Sequence, residues 1–103
     1  MLSDYSNDEL MLWNVADEVL HYVWDPLRIC GMPQARDEYH SYLLEVVKLL
    51  CGGADEAEIA AFLQSVATEG MGLELRPDHH RKVARILLDW KEWIWAESAQ
   101  SND

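Results

Sequence analysis

The chain has 103 residues and carries 19 acidic against 8 basic side chains, a formal net charge of −11, yet 50% of its residues are hydrophobic. So much apolar surface can build a core, which excludes a disordered acidic tail, and the charge opposes binding to nucleic acid or to an anionic membrane. No apolar stretch approaches the ~20 residues that cross a bilayer, and Cys30 and Cys51 are too few for a disulfide framework and lack CxxC spacing.

In chain order the pattern predicts four helices, hence an all-α fold: a compact single-domain bundle of about four helices over residues 1–97, with a frayed tail over 98–103. Residues 1–9 are acidic and polar, unlike a secretory leader, so a bacterial or similar cytoplasmic protein is expected. Ser6 and Glu9 have capping-box spacing and open a helix over Asp8–Val23. Its apolar stripe is Leu12, Val15, Ala16, Val19, Tyr22 and Val23, with Trp13 and Leu20 off that stripe. Pro26 forces Asp25 out of the helical region, so Trp24-Asp25-Pro26 ends the helix and an ordered loop follows.

The second helix is expected over Ala35–Cys51, burying Tyr39, Tyr42, Leu43, Val46, Val47 and Leu50 and stopped by Gly52-Gly53. Asp55 and Glu58 repeat the capping-box spacing and open a third helix, Glu56–Glu69, with Ile59, Phe62, Leu63 and Val66 inward. A connector over 71–76 leads to the last helix, from Pro77 or Asp78 to about Glu97. At 100° per residue its core arc is Val83, Ile86, Leu87, Trp90 and Ile94, with Trp93 at the margin. Ala84, Leu88, Lys91 and Trp95 form a second stripe.

The charge is unevenly spread. Residues 1–23 contain five acids and no Lys or Arg, and residues 54–70 contain four acids and no base. Asp4, Asp8, Glu9, Asp17 and Glu18 in and before the first helix, with Asp55, Glu56, Glu58 and Glu69 in and before the third, are the two halves of a candidate surface for a basic partner. Trp13 and Trp95 are its candidate anchors. Arg76, Arg81, Lys82 and Arg85 gather at the start of the last helix, where the dipole disfavours them. Pairing with acids of neighbouring helices is the leading explanation; a small anion or acidic-peptide site and plain solvated surface are the others.

Catalytic patterns are missing from the sequence. His79 and His80 are adjacent and diverge by about 100° on a helix, there is no HxxxH or HExxH, and no metal or cofactor is expected. His21 and His40 are within reach of a carboxylate only if the fold supplies one. Gly52-Gly53 lacks the strand before it and the Lys-Ser/Thr after it that a phosphate loop requires. Cys30 with His40 has no local context for a nucleophile and its base.

Trp24-Asp25-Pro26, then Gly31-x-Pro33, then Arg36-Asp37-Glu38-Tyr39, with Thr68-Glu69-Gly70-Met71-Gly72-Leu73 later, resembles a family of small bacterial helical proteins of unknown function. The resemblance spans about residues 10–90; His40 departs from the acidic residue that often follows the Tyr. It implies a compact helical fold in a soluble bacterial protein and carries no activity. On these residues Trp24 closes one end of the core, Asp25 accepts backbone hydrogen bonds and Tyr39 packs beneath. The functional alternative is a pocket of Trp24, Asp25, Glu38 and Tyr39 for a small polar or cationic ligand.

The expected function is therefore not enzymatic. It is capture of a basic protein, in its specific form an immunity protein or antitoxin that neutralises a nuclease-like toxin domain. A small-ligand or regulatory domain using the Trp24–Tyr39 region, and a self-associating subunit using the Leu88–Trp95 stripe, are the alternatives.

Overall fold

The computed structural model describes residues 6–101, so Asp4 of the candidate acidic surface and the last two residues of the expected tail lie outside it. Four α-helices and no strand occur among the described residues: α1 (Asn7–Glu18), α2 (His40–Cys51), α3 (Glu56–Ser65) and α4 (Pro77–Ser101). No described helix is long and apolar enough to cross a membrane.

Local chemistry sets most of the boundaries. At α1 the Ser6 hydroxyl accepts from the Glu9 N–H at 3.2 Å and the Glu9 carboxylate accepts from the Ser6 N–H at 2.8 Å. At α3 the Asp55 carboxylate and Glu58 N–H (2.9 Å) and the reciprocal pair (3.2 Å) do the same. Each box satisfies two donors that the helix itself leaves orphaned. Past α2, Gly53 takes φ +86°, so its N–H reaches the Leu50 carbonyl at 3.3 Å and the Ala54 N–H reaches that of Leu49 at 3.0 Å. This crossed pair needs a left-handed residue, and glycine supplies it without strain.

Two helices end differently from the expectation. α1 gives way to a π-helical turn over Val19–Trp24 and α3 to another over Val66–Gly70. The Asp25 N–H donates to Leu20 O and the Met71 N–H to Val66 O, each five residues back, at 3.0 Å. A π turn takes more residues per turn than an α turn, so the face after Val19 rotates. Leu20, His21 and Trp24 go inward, while Tyr22, read from the sequence as core, is 58% exposed and Val23 is also exposed. The second helix starts later than expected. Residues 33–35 form a 3₁₀ turn, 36–39 are turns, and α2 begins at His40.

α4 is the central element, packed on α1, α3 and the first π turn, and to a lesser extent on α2. The described helix runs to Ser101, four residues beyond the expected end. Its inward face is Val83, Ala84, Leu87, Leu88 and Ile94, so both expected stripes contribute. The correction concerns Trp90, expected in the core and found 42% exposed, and Trp93, 53% exposed. Ala84 and Leu88 of the second stripe are buried in the same core as Val83 and Leu87, so the face that points inward is turned away from Trp90 and Trp93.

Candidate functional site

The Trp24-Asp25-Pro26 turn is held by a network of hydrogen bonds. Asp25 adopts φ 31°, ψ 59°, a left-handed conformation that Asp tolerates better than most residues. Its Oδ1 accepts from the Ile29 N–H and the Tyr39 hydroxyl, both at 2.8 Å, and its Oδ2 accepts from the Cys30 N–H at 3.0 Å. The Tyr39 oxygen in turn accepts from the Leu27 N–H at 3.0 Å. Burial pushes the Asp25 carboxyl up, and donors from Ile29, Cys30 and Tyr39 more than offset this, leaving it below its ordinary value. Burial, with the adjoining carboxylate, raises the Tyr39 phenol. Asp25 is thus filled by internal donors, whereas Glu38 is exposed.

Trp24 is buried against Tyr39, ring centroids 5.2 Å apart. The adjacent histidines, dismissed as a pair on sequence grounds, grip it from two sides. His79 Nε2 lies 2.8 Å from the Trp24 carbonyl and therefore carries a proton. Trp24 Nε1–H donates to His80 Nδ1 at 3.2 Å, so His80 is neutral there, with its proton on Nε2. Burial lowers the His80 pKa, and repulsion from His79 and Arg76 adds to it. The divergence of neighbouring side chains argues against one shared ion, but it suits gripping one residue at two atoms. A histidine pair just after a helix-starting proline was the available signal.

Beside this turn lies a cavity of about 210 Å³ lined by Pro26, Arg28, Leu73, Glu74, Arg76, His79 and His80, among others. His80 is 2% exposed, and its Nε2 has no hydrogen-bond partner. Of the basic cluster on α4, Arg85 does pair with a neighbouring helix, reaching Glu56 at 3.8 Å, and with Asp89 and Glu92 on its own helix. Arg76, Arg81 and Lys82 have no carboxylate partner among the described residues.

Many acids of the candidate surface have internal work. Asp17 receives both guanidinium nitrogens of Arg36 at 3.0 and 3.2 Å and His40 Nε2 at 3.0 Å. Glu9, Asp55 and Glu58 cap helices, Glu56 meets Arg85, and Glu69 accepts from Ser65 at 3.4 Å. Asp8 and Glu18 have no such bond among the described residues. The two halves are also apart, since α1 and α3 pack on α4 rather than on each other. Trp13 packs against the core, and Trp95 is partly exposed with the Lys91 ammonium 6.0 Å from its ring centre.

The sequence reading missed the outward face of α4. Trp90 and Trp93 meet edge to face, centroids 5.8 Å apart, and with Ile86 and Asp89 they line an open depression of about 530 Å³. No cluster of three or more His, Cys, Asp or Glu suited to a metal ion occurs among the described residues. Hydrogen bonding to Asp25 raises the Cys30 thiol pKa, the reverse of an activated nucleophile, and His40 is engaged by Asp17. Comparison with protein-family models, curated proteins and solved structures finds no match.

Proposed function

We propose that this protein is a non-enzymatic binding module for a basic protein partner, in its sharpest form an immunity protein or antitoxin that covers a nuclease-like toxin domain. The observation that carries the reading is the pair of solvent-facing indoles, Trp90 and Trp93, which line an open depression together with Ile86 and Asp89. Glu97 lies one turn beyond Trp93 on the same helix face. Exposed tryptophan beside charge is the composition of interface hot spots. The net charge of −11 supplies the other half of the mechanism. It steers a basic domain into encounter, and the indoles, once desolvated, slow its departure. The anchor thereby moves from Trp13 and Trp95 to Trp90 and Trp93, with Asp8 and Glu18 left for steering.

The test is a titration of the purified chain with the basic nuclease-like domain encoded beside its gene. Binding at micromolar concentration or tighter is expected at low salt, weakening as salt is added. Replacing both Trp90 and Trp93 by Ala should raise Kd by ~30-fold or more, the equivalent of one hot-spot residue. No binding at micromolar concentration would overturn the toxin reading.

A further inference from the structure

We propose that the double grip of His79 and His80 on Trp24 is a pH-sensitive latch: a proton taken up by His80 breaks its bond to the indole and frees the Trp24 side chain from the start of α4. The latch is independent of the protein-binding surface proposed above.

The geometry makes the closed latch and a charged His80 mutually exclusive. An indole nitrogen can only donate, so the 3.2 Å contact from Trp24 Nε1–H requires a bare lone pair on His80 Nδ1. The neutral ring carries its proton on Nε2, which leaves Nδ1 as the one place for a second. A proton there would set two N–H groups head to head. The surroundings do not accommodate the charge either. His80 is 2% exposed and its Nε2 has no hydrogen-bond partner, so an imidazolium would find neither water nor acceptor at that nitrogen. Among the described residues that line a cavity with His80, Arg28 from the loop, Arg76 from the connector and His79 from α4 oppose the proton, and Glu74 favours it. The second π turn brings Ala67 there, and the first brings the uncharged indole to the ring. Asp25, next to Trp24 in sequence, commits both carboxylate oxygens to Ile29, Cys30 and Tyr39. Burial, with repulsion from His79 and Arg76, accordingly holds the His80 pKa below its ordinary 6.5.

The other half of the grip has no such sensitivity. His79 Nε2–H donates to the Trp24 carbonyl at 2.8 Å, and a ring protonated at Nε2 keeps that donor when it gains a second proton. Acid therefore releases the indole while the backbone of residue 24 stays tethered to α4. Tyr39 and Tyr42 pack on the same indole, with centroids 5.2 and 6.4 Å away. Its release loosens the joint between the first π turn, the loop after it and α2. With the folded pKa below 6.5, the open form binds the proton more readily. The latch is at full strength above pH 6.5 and is lost as the pH falls through the folded value. One proton allows a rise in the open-to-closed ratio of at most ~10-fold per pH unit.

The experiment is a titration of the ¹⁵N-labelled full chain from about pH 8 to about pH 4.5, a range in which Asp25 keeps its charge. It reads the His80 ring nitrogens and the hydrogen exchange of the Trp24 indole N–H relative to free tryptophan. A neutral His80 with a bare Nδ1 is expected at the alkaline end. Indole protection should then fall by up to ~10-fold per pH unit, beginning as the ring takes up its proton. His80→Asn places a non-titrating amide oxygen where Nδ1 lies, and should keep the indole protected with a dependence below ~2-fold per pH unit. His79→Gln keeps a donor at the Trp24 carbonyl and should retain the wild-type slope. His21 and His40 are present in all three chains, so their titration cancels in the comparison. A His80 ring that charges while the Trp24 N–H stays protected would overturn the latch, as would the wild-type slope in His80→Asn. So would a ring still neutral at the acid end, or an equal loss of protection by the amides of α3, which means global unfolding. If His80→Asn fails to fold, the wild-type titration decides, because ring charge and indole protection are read in one sample.

Discussion

At Asp25 a side chain does what backbone ladders do elsewhere: its two oxygens take donors from Ile29, Cys30 and Tyr39 and tie a loop without regular structure to the start of α2. Asp25→Asn keeps the size and the tolerance for a left-handed backbone but replaces one acceptor with an NH₂ that faces a donor. Hydrogen bonds to a charged group contribute ~1.5–3 kcal/mol, so urea denaturation at neutral pH should show a loss of about 2 kcal/mol. The pH dependence has a definite sign. The Asp25 pKa is lowered on folding from 3.8, so the unfolded chain binds the proton more readily. The contribution is complete above about pH 5, and it is lost as the pH falls through 3.8 toward the folded value. The stability gap between wild type and Asp25→Asn should therefore hold constant above pH 5 and narrow below 3.8. A gap independent of pH down to acid denaturation would mean that the carboxylate charge is not what the turn uses.

The π turn after Glu18 decides which half of an apolar run becomes core. In Val19-Leu20-His21-Tyr22-Val23-Trp24 every residue but His21 is a plausible core residue by composition, and α-helical spacing selects Tyr22 and Val23. The wider turn instead buries Leu20, His21 and Trp24, and the Arg36 guanidinium lies 5.4 Å from the centre of the outward Tyr22 ring. Leu20→Ala should therefore cost ~2–5 kcal/mol, as for a fully buried leucine. Tyr22→Lys, which breaks the expected stripe, should cost less than ~1 kcal/mol apart from repulsion by Arg36. Equal losses would restore the α register. What the sequence revealed here were features set by near neighbours: both capping boxes, the glycine stop after Cys51, the proline end after Trp24 and the acceptor role of Asp25. What it concealed depends on distant partners. The π register is settled by which side chains fit against α4. The outward turn of Trp90 and Trp93 depends on which face of α4 the other helices cover, and Ala84 and Leu88 are on the covered side. The grip of His79 and His80 on Trp24 joins residues 55 and 56 positions apart.

For the molecule as a whole, a net charge of −11 on 103 residues has two opposite consequences for salt. Self-repulsion among exposed acids disfavours the compact state, and mobile ions with a Debye length of ~8 Å at physiological ionic strength screen it. The internal pairs of Asp17 and Arg85 offset only part of the excess. Raising sodium chloride from a few millimolar to physiological strength should thus stabilise the free protein by on the order of 1 kcal/mol, a rise in Tm of a few degrees. The same salt should weaken capture of a basic partner, because there the long-range field is attractive.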